Sequence, residues 1–508
     1  MYNIGYDIGS SSIKAALVEV DTGKQIAVTH EPEGEMGMIS PKASWAEQDP
    51  EVWWKLICLA TKKLLKQTGI DSAKISGVGI AYQMHGLVVV DRNGAPLRNA
   101  IIWCDSRAVD IGNEAFKALG TQKCMEHLLN SPANFTASKL KWVHDNEPDI
   151  YEKIYKYMLP GDYIAYKFSG DITTTINGLS EGTLWDYKNH EPANWLLSFY
   201  NLNTDMTPDL VDNFSVQAKL NQQGAEASGL KSGTPITYRA GDQPNNALSL
   251  NVMKPGEVAA TGGTSGVVYA LTDSMQTKEL ERINHFAHVN HTAAAPVIGK
   301  LLCINGAGIQ YRWMKNNTGA ERYNHMNQLA EAAPIGADGL CVMPFGNGAE
   351  RMLGNKNIEA RILNINLNQH SQGSIYRATL EGIAFSFIYG MKFIKNDSTP
   401  LHVIRAGNDN LFRSEVFSNT IASLIGQEIE IYNTTGAIGA ARAASVRHDN
   451  LATFGERIST NDYVSSYTPQ KNADAYVEAY EKWEKELNTI MNKYCLLYTS
   501  DAADDEER

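Results

Sequence analysis

The sequence predicts a two-lobed α/β protein with a cleft between the lobes, and three observations carry that expectation. The chain has 508 residues, too long for one hydrophobic core and suited to two domains of roughly 240 residues each. Its first residues run an apolar strand into a carboxylate and a small-residue turn, Ile4-Gly5-Tyr6-Asp7-Ile8-Gly9-Ser10-Ser11-Ser12. A second turn of the same kind, Thr261-Gly262-Gly263-Thr264-Ser265-Gly266, falls near the middle.

A strand, a turn with free backbone N–H groups and small hydroxyls, and a returning strand form a concavity suited to phosphate. An Asp closing the first strand can hold the metal ion that phosphate brings. Either turn alone reads more readily as an ordinary hairpin. One in each half points to a nucleotide gripped between two related lobes.

The elements follow in order. Residues 3–9 and 13–20 pair as a hairpin, Asp21-Thr22-Gly23-Lys24 turns, and residues 25–29 supply a third strand. Asp49-Pro50 opens a helix in which Val52, Trp53, Leu56, Leu59, Ala60 and Leu64 recur at helical spacing. Residues 75–81 form a buried strand, and residues 88–90 and 97–103 a further hairpin about Asp91-Arg92-Asn93-Gly94. In the second half, strands at 257–260 and 267–271 flank the Gly262 turn, and a strand at 301–305 leads into a helix near Gly306. A long helix at 376–394, a strand at 402–406, a helix at 412–424, a strand at 429–431 and an Ala-rich helix at 436–446 complete it. Three strands, a helix, a strand and a helix is the order of a ribonuclease H-like lobe, so two such lobes of the actin-like ATPase type are expected. The lobes are placed at residues 1–246 and 247–494. Residues 495–508 match nothing before them and resemble read-through translation of a sequencing adapter; they are expected to be a non-native or disordered tail.

Composition narrows the partners. Hydrophobic residues make up 43% and charged residues 20% of the chain, an ordinary globular balance. A net charge of −12 leaves no basic footprint for nucleic acid. No apolar run reaches membrane length and no signal peptide opens the chain, so a soluble cytoplasmic protein is expected. The six cysteines are scattered without metal-ligand spacing, which predicts reduced and mostly buried thiols. The sequence leaves open whether the protein pairs as a homodimer.

Several short motifs recur in a fixed order: Asp7-Ile8-Gly9-Ser10-Ser11-Ser12-Ile13-Lys14, Trp45-Ala46-Glu47-Gln48-Asp49-Pro50, Gln83-Met84-His85-Gly86, Trp103-Cys104-Asp105-Ser106-Arg107, Leu159-Pro160-Gly161-Asp162-Tyr163, Gly241-Asp242-Gln243, Gly263-Thr264-Ser265-Gly266 and Gly436-Ala437-Ile438-Gly439-Ala440-Ala441. From Met1 to about Tyr494 they resemble the carbohydrate kinase family that includes glycerol kinase, gluconokinase and xylulokinase.

That resemblance implies ATP and Mg²⁺ as cofactors and a small sugar as acceptor. Asp242 is implied as general base and Asp7 as the metal-holding carboxylate. Without the family pattern, Asp242 is a routine turn former. In the xylulokinases a Met-His pair contacts the ketose, which implies Met84 and His85 as sugar contacts and D-xylulose as the leading substrate. By themselves the two would read as core residues. Gln243, Trp103 and Asp105 are further candidates for the sugar, with core as the other reading of Trp103. Ser10, Ser11, Ser12, Gly263, Thr264 and Ser265 are assigned to the phosphates, with Lys14 as a secondary candidate whose other reading is a solvated side chain. Gly241 is expected to let the sugar approach the backbone. Family members carry a Gly-Gly-Gly run at the adenosine loop, where this chain has Ala406-Gly407-Asn408-Asp409-Asn410, so Gly407 and Asn408 are assigned there. The competing readings are a kinase of another sugar, polyol or sugar acid, an actin-like or chaperone-like ATPase without a sugar, and a sugar-binding regulator that has lost activity. The ATPase reading gives Met84-His85 and Gly241-Asp242-Gln243 no role.

Overall fold

The computed structural model of the protein describes residues 1–396, 399 and 401–504, and it contains two mixed sheets of one design. In the first, β1 (Tyr2–Ile8), β2 (Ile13–Glu19) and β3 (Gln25–Glu31) form an antiparallel meander. Helix α1 (Pro50–Thr68) crosses back to β4 (Ile75–Tyr82), which runs parallel to β1. After α2 (Thr136–Asn146) and α3 (Ile176–Glu181), β5 (Ala218–Lys219) and β6 (Pro235–Gly241) complete the sheet in the order β5-β6-β4-β1-β2-β3. Helix α4 (Asp242–Ser249) then leads into the second half.

There β7 (Glu257–Gly262), β8 (Gly266–Thr272), β9 (Asn284–Ala287) and β10 (Ile298–Ile304) are followed by α5 (Gly308–Asn317), α6 (Tyr323–Ala332) and α7 (Gln372–Asn396). The chain ends with β11 (Val403–Gly407), α8 (Glu415–Ile425), β12 (Ile429–Tyr432), α9 (Gly436–Ala443), β13 (Tyr463–Tyr467) and α10 (Ala473–Asp504). The second sheet reads β9-β10-β8-β7-β11-β12-β13. Its core repeats the first: β7 and β8 are the antiparallel hairpin, and β11 and β12 are the parallel strands added beside β7.

Local chemistry sets these elements. Asp49 caps α1 by accepting from the Glu51 N–H at 2.9 Å, Pro50 fills the first turn, and Gly69 ends the helix at φ 67°. Its buried face is Trp53, Leu56, Ile57, Ala60 and Leu64; Val52 and Leu59, expected on that face, point outward. The hairpin expected at 88–103 is also different. Strand Val88–Val90 pairs with Lys156–Met158 and Ala100–Ile101 pairs with Glu47–Gln48, leaving single bridges at Leu87–Ile101 and Val90–Pro96. Pro96 has no N–H to extend a ladder there. The helix expected from residue 412 starts at Glu415, where the Ser414 hydroxyl caps it. At the far end, where a tail outside the fold was expected from residue 495, the backbone of α10 stays helical to Asp504, and residues 505–508 lie outside the described residues.

The two halves share a core. One apolar cluster joins Ala81, Met84, Phe135 and Leu248 to Tyr269, Phe286, Leu301, Tyr432 and Ala440. Helix α9, although late in the sequence, lies directly on the first sheet. A Cβ on Gly79 would stand 1.9 Å from the Ala440 carbonyl oxygen, and one on Gly5 would stand 2.1 Å from the Ala441 nitrogen. Both obstacles are backbone and cannot rotate away. Gly79→Ala is therefore expected to cost about 1–3 kcal/mol or more, read as a lowered urea midpoint. Gly34→Ala, which meets nothing within 4 Å, should stay within about 0.5 kcal/mol of the parent.

Candidate active site

Three parallel strands of the first sheet end at one edge. The registers Ile8–Tyr82 and Tyr82–Gly241 align the ends of β1, β4 and β6, and the Gln83 N–H extends the row by donating to the Ile8 carbonyl at 2.8 Å. Asp7 is the penultimate residue of β1, Gln83–Gly86 follows β4, and Asp242 follows β6. This is where open α/β sheets build their sites.

Helix α3 supports the β4 loop. His85, held at φ 61°, places Nδ1 2.8 Å from the Glu181 carbonyl oxygen. A carbonyl only accepts, so Nδ1 carries the proton and Nε2 presents its lone pair. Burial, followed by the charge of Lys139, pushes the imidazole down to about 3, so the ring is neutral and Nε2 is an acceptor. The ring packs against Phe135 at 4.5 Å and Phe286 at 5.2 Å. Phe286 comes from β9, so the second half walls this side.

Met84 is buried against Gly241: a Cβ there would meet Met84 Cγ at 2.6 Å and Glu181 Oε2 at 2.6 Å. The space above Gly241 is thus filled by protein, and the glycine serves packing rather than the sugar approach expected of it. Trp103 is 53% exposed, and its indole nitrogen lies 3.5 Å from Ser10 Oγ. It stands beside the β1–β2 turn, outside the core.

Asp105, expected among the sugar contacts, is 0% exposed and fully engaged. Its oxygens accept from the Ala46 N–H at 2.6 Å, the Arg107 N–H at 2.9 Å, and the Arg107 guanidinium at 2.7 Å. Arg107 is in turn stacked between Trp45 and Trp142. Asp105 is a strut of the 103–107 turn with no atom left for a ligand.

Electrostatics mark two carboxyls at the edge. Burial, reinforced by the negative charge of Asp7, pushes Asp242 up to about 7, while the Gln243 backbone and side chain hydrogen-bond to it and oppose the shift. Asp7 is also raised by burial, against the pull of Lys14, its partner across the β1–β2 hairpin. Glu181, which nothing in the sequence singled out, is a third: burial and then the charge of Asp242 raise it well above the carboxylate range. Neighbouring carboxyls of like charge oppose each other's ionisation, so Glu181 and Asp242 titrate as a coupled pair.

The second half offers a cleft of about 580 Å³ lined by Gly262, Gly263 and Thr264 of the β7–β8 turn, residues of α5 and α6, and Asn410, Leu411, Arg413 and Ser414. Thr264 and Ser265 are exposed at the turn tip. The turn is held from below by α5, where the Gly308 N–H donates to the Gly263 carbonyl at 3.0 Å. Tyr311 and Tyr323 stack in the wall at 5.6 Å, and Arg312, Lys315, Arg322 and Arg413 make it cationic. The loop after β11 contributes through residues 410–414. Gly407 and Asn408, expected as contacts, end the strand, where the Asn408 N–H is taken by the Tyr432 carbonyl at 2.8 Å. Lys14 links the halves electrostatically: burial raises both Asp7 and Asp409, and the charge of Lys14 opposes the rise at each. Ser10, Ser11 and Ser12 form the turn beside it, closed by the Gly9 N–H on the Ser12 carbonyl.

Comparison with known proteins decides the family. Residues 2–249 match the N-terminal domain and residues 258–448 the C-terminal domain of the FGGY family of carbohydrate kinases. The chain belongs to the FGGY carbohydrate kinases. It is 26% identical to the xylulose kinase of Bacillus subtilis over 512 residues, covering 97% of this chain and 99% of that protein. The crystal structure of xylulose kinase from Rhodospirillum rubrum superposes with a TM-score of 0.85 at 22% identity, covering 97% of this chain and 100% of that one. Glycerol kinase from Plasmodium falciparum with ADP superposes with a TM-score of 0.86 at 19% identity, over 96% and 98%. The two-lobed fold expected from the sequence is thus that of the sugar kinases. Among the described residues no helix is long and apolar enough to cross a membrane. Cys58, Cys124 and Cys341 are buried as expected, whereas Cys104 and Cys303 are exposed.

Proposed function

We propose that the protein transfers the terminal phosphoryl group of ATP to a hydroxyl of a ketopentose, D-xylulose foremost, with Asp242 as general base. The observation that carries the reading is the pairing of a carboxyl poised near 7 with a neutral imidazole acceptor at one strand edge. A base that titrates near the working pH is suited to accept a hydroxyl proton as the new O–P bond forms. His85 Nε2 can accept from a sugar hydroxyl, its ring held in place by Phe135 and Phe286, and Met84 beside it suits the carbon face. The exposed Gly263–Ser265 turn, together with Ser10–Ser12, would meet the phosphates with backbone N–H groups and hydroxyls. The cationic, tyrosine-lined cleft beside it suits the rest of the nucleotide. The choice of D-xylulose rests on the xylulose kinase relative and the Met84-His85 pair.

Among the described residues no group of three His, Cys, Asp or Glu side chains could hold a metal by itself. A half-buried carboxylate with few protein partners fits Mg²⁺, which keeps waters and binds through one or two carboxylates and the phosphates. Asp7 would hold it, and when bound the ion supplies charge neutralisation on the transferring phosphoryl group. Asp242 accepts and removes the hydroxyl proton.

The test is ADP release with a panel of ketoses, polyols and sugar acids. D-Xylulose is expected to raise turnover far above the sugar-free rate. Stimulation by glycerol or gluconate without D-xylulose would move the substrate and keep the kinase, and an ATPase indifferent to every sugar would end both.

A further inference from the structure

Helix α2 begins beneath the loop that carries Met84 and His85, and its first turn grips that loop from several sides. Phe135, the residue before the helix, packs its ring on His85. Thr136 Oγ1 donates to the Gly86 carbonyl at 3.3 Å. Lys139, one turn on, is 0% exposed, and its Nζ donates to the carbonyls of His85 at 2.8 Å and Ile102 at 3.0 Å. Asn134, just ahead of the helix, donates its amide to the Asp105 carbonyl. One ammonium therefore fastens the loop after β4 to the loop that presents Trp103.

Two features show that this fastening does more than fill space. A left-handed backbone at a residue other than glycine persists only where its surroundings over-determine it. A buried amine donating to the carbonyl of His85 at 2.8 Å supplies that restraint at the strained residue itself. A buried ammonium is also an expensive way to hold two carbonyls, and burial pushes Lys139 down to about 7. We propose that Lys139 is a positioning residue for the sugar, whose two hydrogen bonds fix the spacing of the His85 and Trp103 loops and hence the width of the pocket. The inference rests on the reading that these loops contact the sugar.

Lys139→Met keeps the length and removes both donors, leaving the His85 carbonyl unpaired and the Ile102 carbonyl with only the Asp105 N–H at 3.2 Å. It is expected to raise KM for D-xylulose about tenfold or more, with KM for ATP within about twofold. In a His85→Ala background the same change should add little, because the two residues act as one unit. A merely structural lysine would lower the melting temperature and leave the ratio of the two KM values where it was, which overturns the inference. Thr136→Val, close to isosteric, loosens the same loop and should raise KM for the sugar in the same direction by less. Should Lys139→Met fail to fold, Thr136→Val decides: a raised sugar KM supports the inference and an unchanged one overturns it. If His85→Ala leaves the sugar KM untouched, the sugar-site reading falls and this inference with it. If His85→Ala raises it while Lys139→Met and Thr136→Val do not, only the positioning role falls.

Discussion

Asp242→Asn is expected to lower kcat for sugar phosphorylation by about 10²–10⁴-fold, with ADP affinity within about twofold of the parent. The amide can still accept from Gln243, so the start of α4 should hold. Only the proton acceptor is lost. The parent enzyme should show the matching pH limb. A carboxyl pushed up to about 7 is protonated below that pH, so kcat/KM should fall as pH drops through 7. The same shift has a thermodynamic sign. Asp242 binds its proton more tightly folded than unfolded, so between its ordinary value and about 7 each rise in pH removes stability. Asp242→Asn should therefore have a urea midpoint at pH 8 equal to or above that of the parent. A rate flat from pH 5.5 to 8, or an asparagine variant that retains turnover, would remove Asp242 as the base.

Asp7→Asn should fail differently. It is expected to reduce sugar phosphorylation and sugar-free ATP hydrolysis together, by about 10²-fold or more, and to raise the Mg²⁺ concentration needed for half-maximal rate. The hydrolysis arm separates the two residues, because water needs the organised phosphoryl group but not the sugar's base. A second readout is independent of rate loss. Asp7 contributes to the upward shift of Asp242, so the residual activity of Asp7→Asn should titrate at lower pH than the parent. Equal loss of nucleotide affinity in both variants would contradict this division of labour.

What the sequence disclosed was local. Strand, turn and carboxylate lie within a dozen residues at Asp7, and Gly241-Asp242 sits where a strand gives way to a helix, so both could be read without tertiary information. The repeat of the design at Gly262–Gly266 was visible for the same reason. Glu181, Lys139 and Phe286 were not, because their roles come from contacts between residues far apart in the chain, and each alone is an ordinary helix or strand residue. Asp105 was misread because a carboxylate in a turn looks available until Arg107 and the Ala46 N–H are brought to it. Gly407 and Asn408 were assigned by motif position, whereas the cleft wall depends on how residues 410–414 fold into the start of α8. Gly5 and Gly79 looked like ordinary strand glycines; their purpose became clear only when a helix some 360 or more residues later was found seated on them.

That seating determines how the halves can move. Helix α9 starts beside Asp7, where a Cβ on Gly436 would lie 2.7 Å from Oδ2, and the Asn245 amide of α4 donates to the Gly436 carbonyl at 2.9 Å. With no side chain interposed between α9 and β1 or β4, this corner has the least room to shift. Any relative rotation of the two sheets is therefore expected to have its axis close to Asp7 and the first turn of α4. Displacement grows with distance from an axis, so the parts of the second half furthest from this corner would travel furthest.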